Sequence, residues 1–401
     1  MDSEVAQSIP ADRLGESDEH RAFRDAVRGY VGDHVSPHQT EWENAGALPR
    51  EFFLGAGRQG MLGFPVPEEY GGPGVRDYRY NAIVIDEIAR AGAAACAIGL
   101  SLQNDVVLPY LTDLTTDAQK RRWLPGVVSG ETVLGIAMTE PGAGSDLAGI
   151  GTCAVRDGDD YIVDGAKTFI SNGQTADVFV VAVRTGAGSA GAGGNPGDRR
   201  GGLTLLAVDG DTAGLRRGRN LDKIGLHAQD TSELAFEGMR VPVANRLGEE
   251  GEGFGYLVRN LPQERLSLSI GAVAAAEGVL DSTLEYVRER TAFGSPIAKF
   301  QNTRFVLAEL ATELDLARTY LNECIAAHVR GELTPARAAR LKWWTTELQV
   351  RTADRCLQLH GGYGYMREYP VSRAFVDARI QTIYGGTTEI MKTIVAKGLG
   401  L

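Results

Sequence analysis

The stretch LPQERLSLSIG, Leu261 to Gly271, sets Pro262, Gln263, Glu264 and Arg265 against a run that is otherwise small and apolar. A carboxylate set in such a run could serve as an acid or base if burial lifts its pKa. The spacing has a plainer reading too. Pro262 suits the first turn of a helix, and the positive end of the helix dipole favours an acid just behind it.

Two further stretches carry chemical groups at useful spacing. In AMTEPGAGSD, Ala137 to Asp146, Gly142 and Gly144 allow tight turns that aim several N–H groups at one anion. Thr139 and Ser145 add hydroxyls able to bind a ring carbonyl or a phosphate. The alternative is a plain turn between a helix and a strand. In KTFISNG, Phe169 offers a flat ring and Ser171 a hydroxyl two residues on, which in a strand lie on one side; an aromatic there also suits a core. Gly186, Gly188 and Gly191 form a G-x-G-x-x-G inside GAGSAGAGGNPGDRRGG, but no helix follows, so the match is a chance one.

The elements that must position these groups read in three blocks. A chain of 401 residues exceeds the ~250–300 at which single cores stop growing, so two or three domains follow. From Asp18, Phe23, Val27, Val31 and Val35 recur every four residues, and helices continue to about Gly130. Within them, YNAIVIDEIARAGAAACAIGLSL is apolar on nearly every face, as a helix inside a bundle would be. Between Glu131 and about Arg246, the runs YIVDGAKTFIS, DVFVVAVRT, LTLLAVD and SELAFEGMRVP alternate with Gly, Asp and Asn turns, as in a compact antiparallel domain. The Gly-rich tract would be a mobile loop between two of the strands. After Gly253 the helical period returns. There GAVAAAEGVL allows close helix approach, and Phe305, Leu307, Leu310, Leu314, Leu316 and Leu321 supply apolar faces.

The bulk numbers exclude several classes. With 43% hydrophobic and 23% charged residues, neither wholesale disorder nor a membrane bundle is indicated. No apolar run reaches the ~18 residues of a spanning helix. The net charge of −11 disfavours nucleic acid as the main partner. Cys96, Cys153, Cys324 and Cys356 are scattered, without a disulfide framework or metal-site pattern, which fits a reducing cytoplasm. The N-terminal MDSEVAQSIPADRLGESDEH carries no targeting signal and reads as a short disordered arm.

Taken in order, AMTEPGAGSD, FISNG, VPVANRLGEEGEGF, RERTAFGSPIAKFQ, LQLHGGYGYMREYPVSRAFVDAR and IYGGTTEIMK resemble the acyl-CoA dehydrogenase family along nearly the whole chain. The resemblance implies an α+β multi-domain fold: an N-terminal α-helical domain (1–130), a central antiparallel β domain (131–246) and a C-terminal four-helix bundle (247–401). It also implies a homotetramer with FAD at a subunit interface. By position, Met138, Thr139, Gly144 and Ser145 would line the flavin and its pyrophosphate. Phe169 would cover one ring face and Ser171 would reach towards the reactive N5. Arg290, Phe293, Gln301, Gln358, Gly361 and Gly362 of a neighbouring subunit would hold the adenine half, and Thr387 with Glu389 would close the site.

One departure bears on Glu264. Many family members carry the catalytic carboxylate in a Tyr-Glu-Gly-Thr stretch, which here reads Tyr384-Gly385-Gly386-Thr387. The subset resembling long-chain and isovaleryl-CoA dehydrogenases supplies it from a helix, and LPQERL matches that arrangement at Glu264. Gly385 then leaves room for the carboxylate. The implied reaction is the α,β-dehydrogenation of an acyl thioester: Glu264 takes the α-proton while the β-hydride passes to FAD. The substrate set is Ser145, Leu261, Arg265, Gly385 and Gly386, with a backbone N–H near Gly385 or Gly386 on the thioester carbonyl. Arg265 is expected to face away from Glu264 and brace neighbouring structure. Phe254, Leu257, Val258 and Leu261 would set pocket depth. An electron-transferring flavoprotein is the implied acceptor. Other readings are a flavin oxidase or monooxygenase, an acyl-carrier-protein thioester as substrate, and a non-enzymatic helical binding protein.

Overall fold

The computed structural model describes residues 15–185 and 201–401. The first part of the N-terminal arm and the Gly-rich stretch with Gly186, Gly188 and Gly191 therefore lie outside the described residues. The end of that arm is ordered, against the disorder expected of it. Glu16 is buried against Arg24, and the Ser17 hydroxyl accepts the His20 N–H to cap the first helix.

Helices α1 (Asp18–Tyr30), α2 (Gln39–Ala45), α3 (Arg50–Arg58), α4 (Arg79–Arg90), α5 (Ala94–Ser101), α6 (Leu108–Asp113) and α7 (Asp117–Ser129) build the N-terminal part. Val27, Val31 and Val35 are buried as their spacing requires. The long apolar segment is two helices rather than one, broken where Gly92 takes a φ of 77°, a conformation that a Cβ disfavours. A π-helical turn, Leu102–Val107, links α5 to α6. Gly130, at φ 80°, ends α7 where the sequence places the change of texture.

The middle part is an eight-stranded sheet: β1 (Leu134–Ala137), β2 (Cys153–Asp157), β3 (Asp160–Ser171), β4 (Val178–Thr185), β5 (Leu203–Asp209), β6 (Leu215–Asn220), β7 (Thr231–Pro242) and β8 (Arg246–Leu247), in the order 6-7-3-2-4-5-8. β1 and β2 both pair with β4 in parallel, so the sheet is mixed and not purely antiparallel. The four β-rich runs became β3, β4, β5 and β7. The four missed strands are short or charge-rich, with too little alternation to register.

The C-terminal part holds α8 (Gly253–Glu289), α9 (Gln301–Val329), α10 (Pro335–His360), α11 (Pro370–Ala378) and α12 (Thr388–Gly398). Gly278 is where α8 meets α4: a Cβ there would lie 2.1 Å from the Arg90 carbonyl oxygen. The small-residue run thus docks on the N-terminal part. Buried ion pairs reinforce the junction. Arg24 bonds Asp86 and Glu87 from α1, while Arg318 on α9 joins Asp86 to Glu277 of α8. Leu307, Leu310, Leu314 and Leu321 are buried, whereas Phe305 and Leu316 are 58% and 66% exposed. Among the described residues no helix is long and apolar enough to cross a membrane, and no cluster of His, Cys, Asp and Glu could hold a metal ion.

Candidate active site

Glu264 does not sit in a first helical turn. α8 begins at Gly253, so Pro262 is interior and the helix-dipole reading of Glu264 falls. The helical register instead turns Glu264 inwards, leaving the residue 5% exposed. Burial raises its pKa to about 7, while hydrogen bonds from Asn260 and Tyr110 and the charge of Arg265 pull the other way. Both donors reach the same oxygen: Asn260 Nδ2 at 3.0 Å and Tyr110 Oη at 3.3 Å from Oε1. No described residue bonds Oε2.

Arg265 behaves as its helical offset requires. It is buried and donates through Nε to the Gly385 carbonyl at 3.3 Å, bracing the Tyr384–Thr387 turn. Lys342 of α10, fully buried, donates to the next carbonyl, that of Gly386, at 2.8 Å. Burial and the neighbouring Arg265 lower the Lys342 pKa to about 7. In the trans peptide between the two glycines the Gly386 N–H is anti to the Gly385 carbonyl that Arg265 holds, and no described residue accepts it. Gly385 and Gly386 have φ of 64° and 100°, which only glycine adopts without strain. The space beside Gly385 is taken by Leu268, however. A Cβ there would lie 2.4 Å from Leu268 Cδ1, so Leu268, one turn beyond Glu264, fills the room expected for the carboxylate.

On the sheet, Lys167 is the organising residue, and sequence reasoning passed over it. Its buried ammonium donates to the Met138 carbonyl at 3.1 Å, the Ala182 carbonyl at 2.7 Å and Glu140 at 2.8 Å. Burial lowers its pKa to about 8. Glu140 also accepts the N–H groups of Gly151 and Thr152, so it ties down the 138–152 turn. β3 bulges between Lys167 and Ile170, and Phe169 takes a φ of 58°. The bulge breaks the simple strand alternation assumed for Phe169 and Ser171. It also holds the Phe169 ring out of the core, 68% exposed, with Ser171 half-buried. Gly142 and Gly144 have ordinary φ and open space where a Cβ would stand, so nothing inside the chain requires them to be glycine. Ser145 is exposed beside them.

Arg290, Gln358, Gly361 and Gly362 meet in a cavity of about 440 Å³ with Tyr286, His360, Tyr363 and Met366. The Arg290 guanidinium lies 5.3 Å from the Tyr363 ring centroid, and no carboxylate among the described residues pairs with it. Gly361 and Gly362 also have open space at the Cβ position. A cation without a counterion, an aromatic ring and two bare glycines suit a dinucleotide phosphate and base. Phe293, 99% exposed, and the exposed Gln301 lie near but outside this lining. Thr387 and Glu389 line a separate groove of about 490 Å³. Thr387 also accepts the Ile390 N–H as N-cap of α12, with Glu389 in its first turn.

Leu261 is partly exposed beside Glu264, Val258 is 42% exposed, and Leu257 belongs to the core. Tyr110 and Asn260 escaped the sequence reading. Asn260 was findable, since residues four apart share a helix face; Tyr110 and Lys342 carry no sequence signal.

Three family models match in sequence: the acyl-CoA dehydrogenase N-terminal domain over 17–131, the middle domain over 135–239 and the C-terminal domain over 251–400. The chain is 44% identical to a mitochondrial long-chain specific acyl-CoA dehydrogenase of Sus scrofa, over 95% of this chain and 86% of that protein. It is 33% identical to a mitochondrial isovaleryl-CoA dehydrogenase of Pongo abelii, over 96% and 89%. Among solved structures, an acyl-CoA dehydrogenase from Geobacillus kaustophilus superimposes with a TM-score of 0.92 at 46% identity, covering 96% of this chain and 99% of that one. Butyryl-CoA dehydrogenase from Megasphaera elsdenii gives 0.89 at 30% identity, covering 96% of this chain and 99% of that one.

Proposed function

Since the chain belongs to the acyl-CoA dehydrogenase family, we propose that it is an FAD-dependent enzyme that oxidises an acyl-CoA to the trans-2-enoyl-CoA with Glu264 as the base. The observation that carries the assignment is Glu264 itself: a buried carboxylate held near neutral pKa, with one oxygen engaged and the other unbonded by any described residue. A base so poised is half ionised near pH 7, where general-base catalysis is most effective.

Bound FAD supplies the hydride acceptor. The chain does the rest. Glu264 receives the α-proton on Oε2. The Gly386 N–H, anti to the Gly385 carbonyl that Arg265 holds, donates to the thioester carbonyl and stabilises the charge that develops there. Phe169, held out by the β3 bulge, covers the flavin ring, and the open turn at Gly142 and Gly144 admits its phosphates.

The adenine cavity belongs to a neighbouring subunit's cofactor. Along α8, Glu264 and Arg290 are 26 positions apart, which at ~1.5 Å per residue is about 39 Å, beyond the reach of one dinucleotide. The exposed Phe293, Phe305 and Leu316 give such a contact apolar surface. A homotetramer, domain limits of 1–130, 131–246 and 247–401, an electron-transferring flavoprotein as acceptor and a cytoplasmic setting complete the reading. Long or branched acyl groups are the proposed substrates, in keeping with the helix-borne base. Anaerobic bleaching of the flavin by acyl-CoAs from C4 to C16, branched thioesters and one acyl-carrier-protein thioester tests this. Bleaching by none of them removes the dehydrogenase assignment, and rapid peroxide formation on admitting air assigns an oxidase instead.

A further inference from the structure

The two donors on Glu264 are anchored to a different element from the one that carries the base. Asn260 stands one turn before Glu264 on α8. Its amide donates to Glu264 Oε1 at 3.0 Å and to the Val106 carbonyl at 3.0 Å, and Gln263 Nε2 donates to the Asp105 carbonyl at 2.9 Å. Both carbonyls belong to the π-helical turn Leu102–Val107, whose widened geometry leaves carbonyls for donors outside it. Tyr110 follows on α6 directly after that turn. Pro262 lacks an N–H, so α8 is short of one internal bond beside the base, and these side-chain bonds hold the segment instead.

We infer that Tyr110 and Asn260 are positioning residues, which orient Glu264 by binding one carboxylate oxygen and turn the other towards the substrate. The inference rests on Glu264 being the base. It assigns a role to two residues that touch neither the flavin stretches nor the Gly385 turn. By stabilising the carboxylate, the two donors also hold down a pKa that burial would otherwise raise further.

The charged and titratable groups around the pair have other partners. Arg265, adjacent on α8, bonds the Gly385 carbonyl. The Asp105 carboxyl accepts from Ser267 and Asn81 beneath α8. His328 on α9 meets Gln263 at 3.1 Å, and burial lowers its pKa to about 4, so it stays neutral. Lys342 on α10 holds the Gly386 carbonyl. Asp113 and Arg259 line the cavity of about 320 Å³ that Tyr110 and Asn260 also border. None of these replaces the two donors on Oε1.

The test is the pH profile of kcat/KM for anaerobic flavin reduction by an acyl-CoA, in the FAD-loaded wild type, Tyr110→Phe, Asn260→Asp and Glu264→Gln. Removing the tyrosine hydroxyl should move the acid limb up by about half to one pH unit, a loss of roughly two- to fivefold at pH 7 that vanishes above pH 9. A carboxylate at position 260 should move the limb further in the same direction through like-charge repulsion. FAD content serves as the control for folding. Unmoved acid limbs in both variants, or losses equal at every pH, overturn the inference while leaving Glu264 as base if Glu264→Gln is inactive. Full turnover in Glu264→Gln overturns the base assignment itself, and this inference with it.

Discussion

Replacing Glu264 by Gln should stabilise the folded protein at alkaline pH while abolishing turnover, and the size of the gain follows from burial. The glutamate pKa rises from 4.5 to about 7 in the folded chain. A group whose folded pKa is raised contributes its full stability below the unfolded value and loses it as pH climbs through the folded one. Between pH 4.5 and 7 the wild type should therefore lose stability that the neutral glutamine keeps. At about 1.4 kcal/mol per unit, the shift corresponds to roughly 3 kcal/mol, reached by about pH 8. The amide oxygen still accepts from Asn260 and Tyr110, so packing changes little. The assay is thermal unfolding of both proteins with saturating FAD at pH 5 and pH 8. The midpoints should nearly coincide at pH 5 and separate by a few degrees at pH 8, with the variant higher. A gap independent of pH, or a variant that is less stable at pH 8, would refute the argument that burial sets the glutamate's pKa.

Two further outcomes test other parts of the structure. Arg318→Met leaves Asp86 and Glu277 without the guanidinium that joins α9 to α4 and α8, and should cost about 3–5 kcal/mol in denaturant unfolding; a loss below ~1 kcal/mol would show that the remaining partners compensate. Phe169→Ala removes a ring that is mostly outside the core, so the thermal midpoint of the cofactor-free protein should hardly move while FAD affinity falls severalfold in a fluorescence titration. Unchanged affinity would take Phe169 out of the flavin site.

What the residues disclosed in advance, and what they withheld, divides along physical lines. Val27, Val31 and Val35, or the apolar runs of β4 and β5, announce their burial by period, because a repeated apolar face has few places to go. The return of the helical period after Gly253 matches the start of α8, whereas the plainer reading of Pro262 as a first-turn residue fails, because packing keeps the helix running through it. The break at Gly92 was hidden for the opposite reason: apolar residues on both sides of it masked a change of direction. Within the site, Glu264, Arg290 and the bare glycines stood out by type and by the family pattern. Lys167, Tyr110 and Lys342 did not, since each works through a backbone carbonyl or a carboxylate distant in sequence, and such pairings leave no local spacing to read.

The unbroken course of α8 gives the proposed assembly a mechanical property. One long helix carries the residue proposed as proton acceptor in its first half and, just past its C-terminal end, the guanidinium that would grip a neighbour's nucleotide. In a homotetramer of the proposed kind, bending at one end of such a helix would be felt at the other, and the reaction centres would be girders of a shared frame. Loading of the cofactor by successive subunits should then be interdependent, each filled cavity stiffening the strut on which the next one relies.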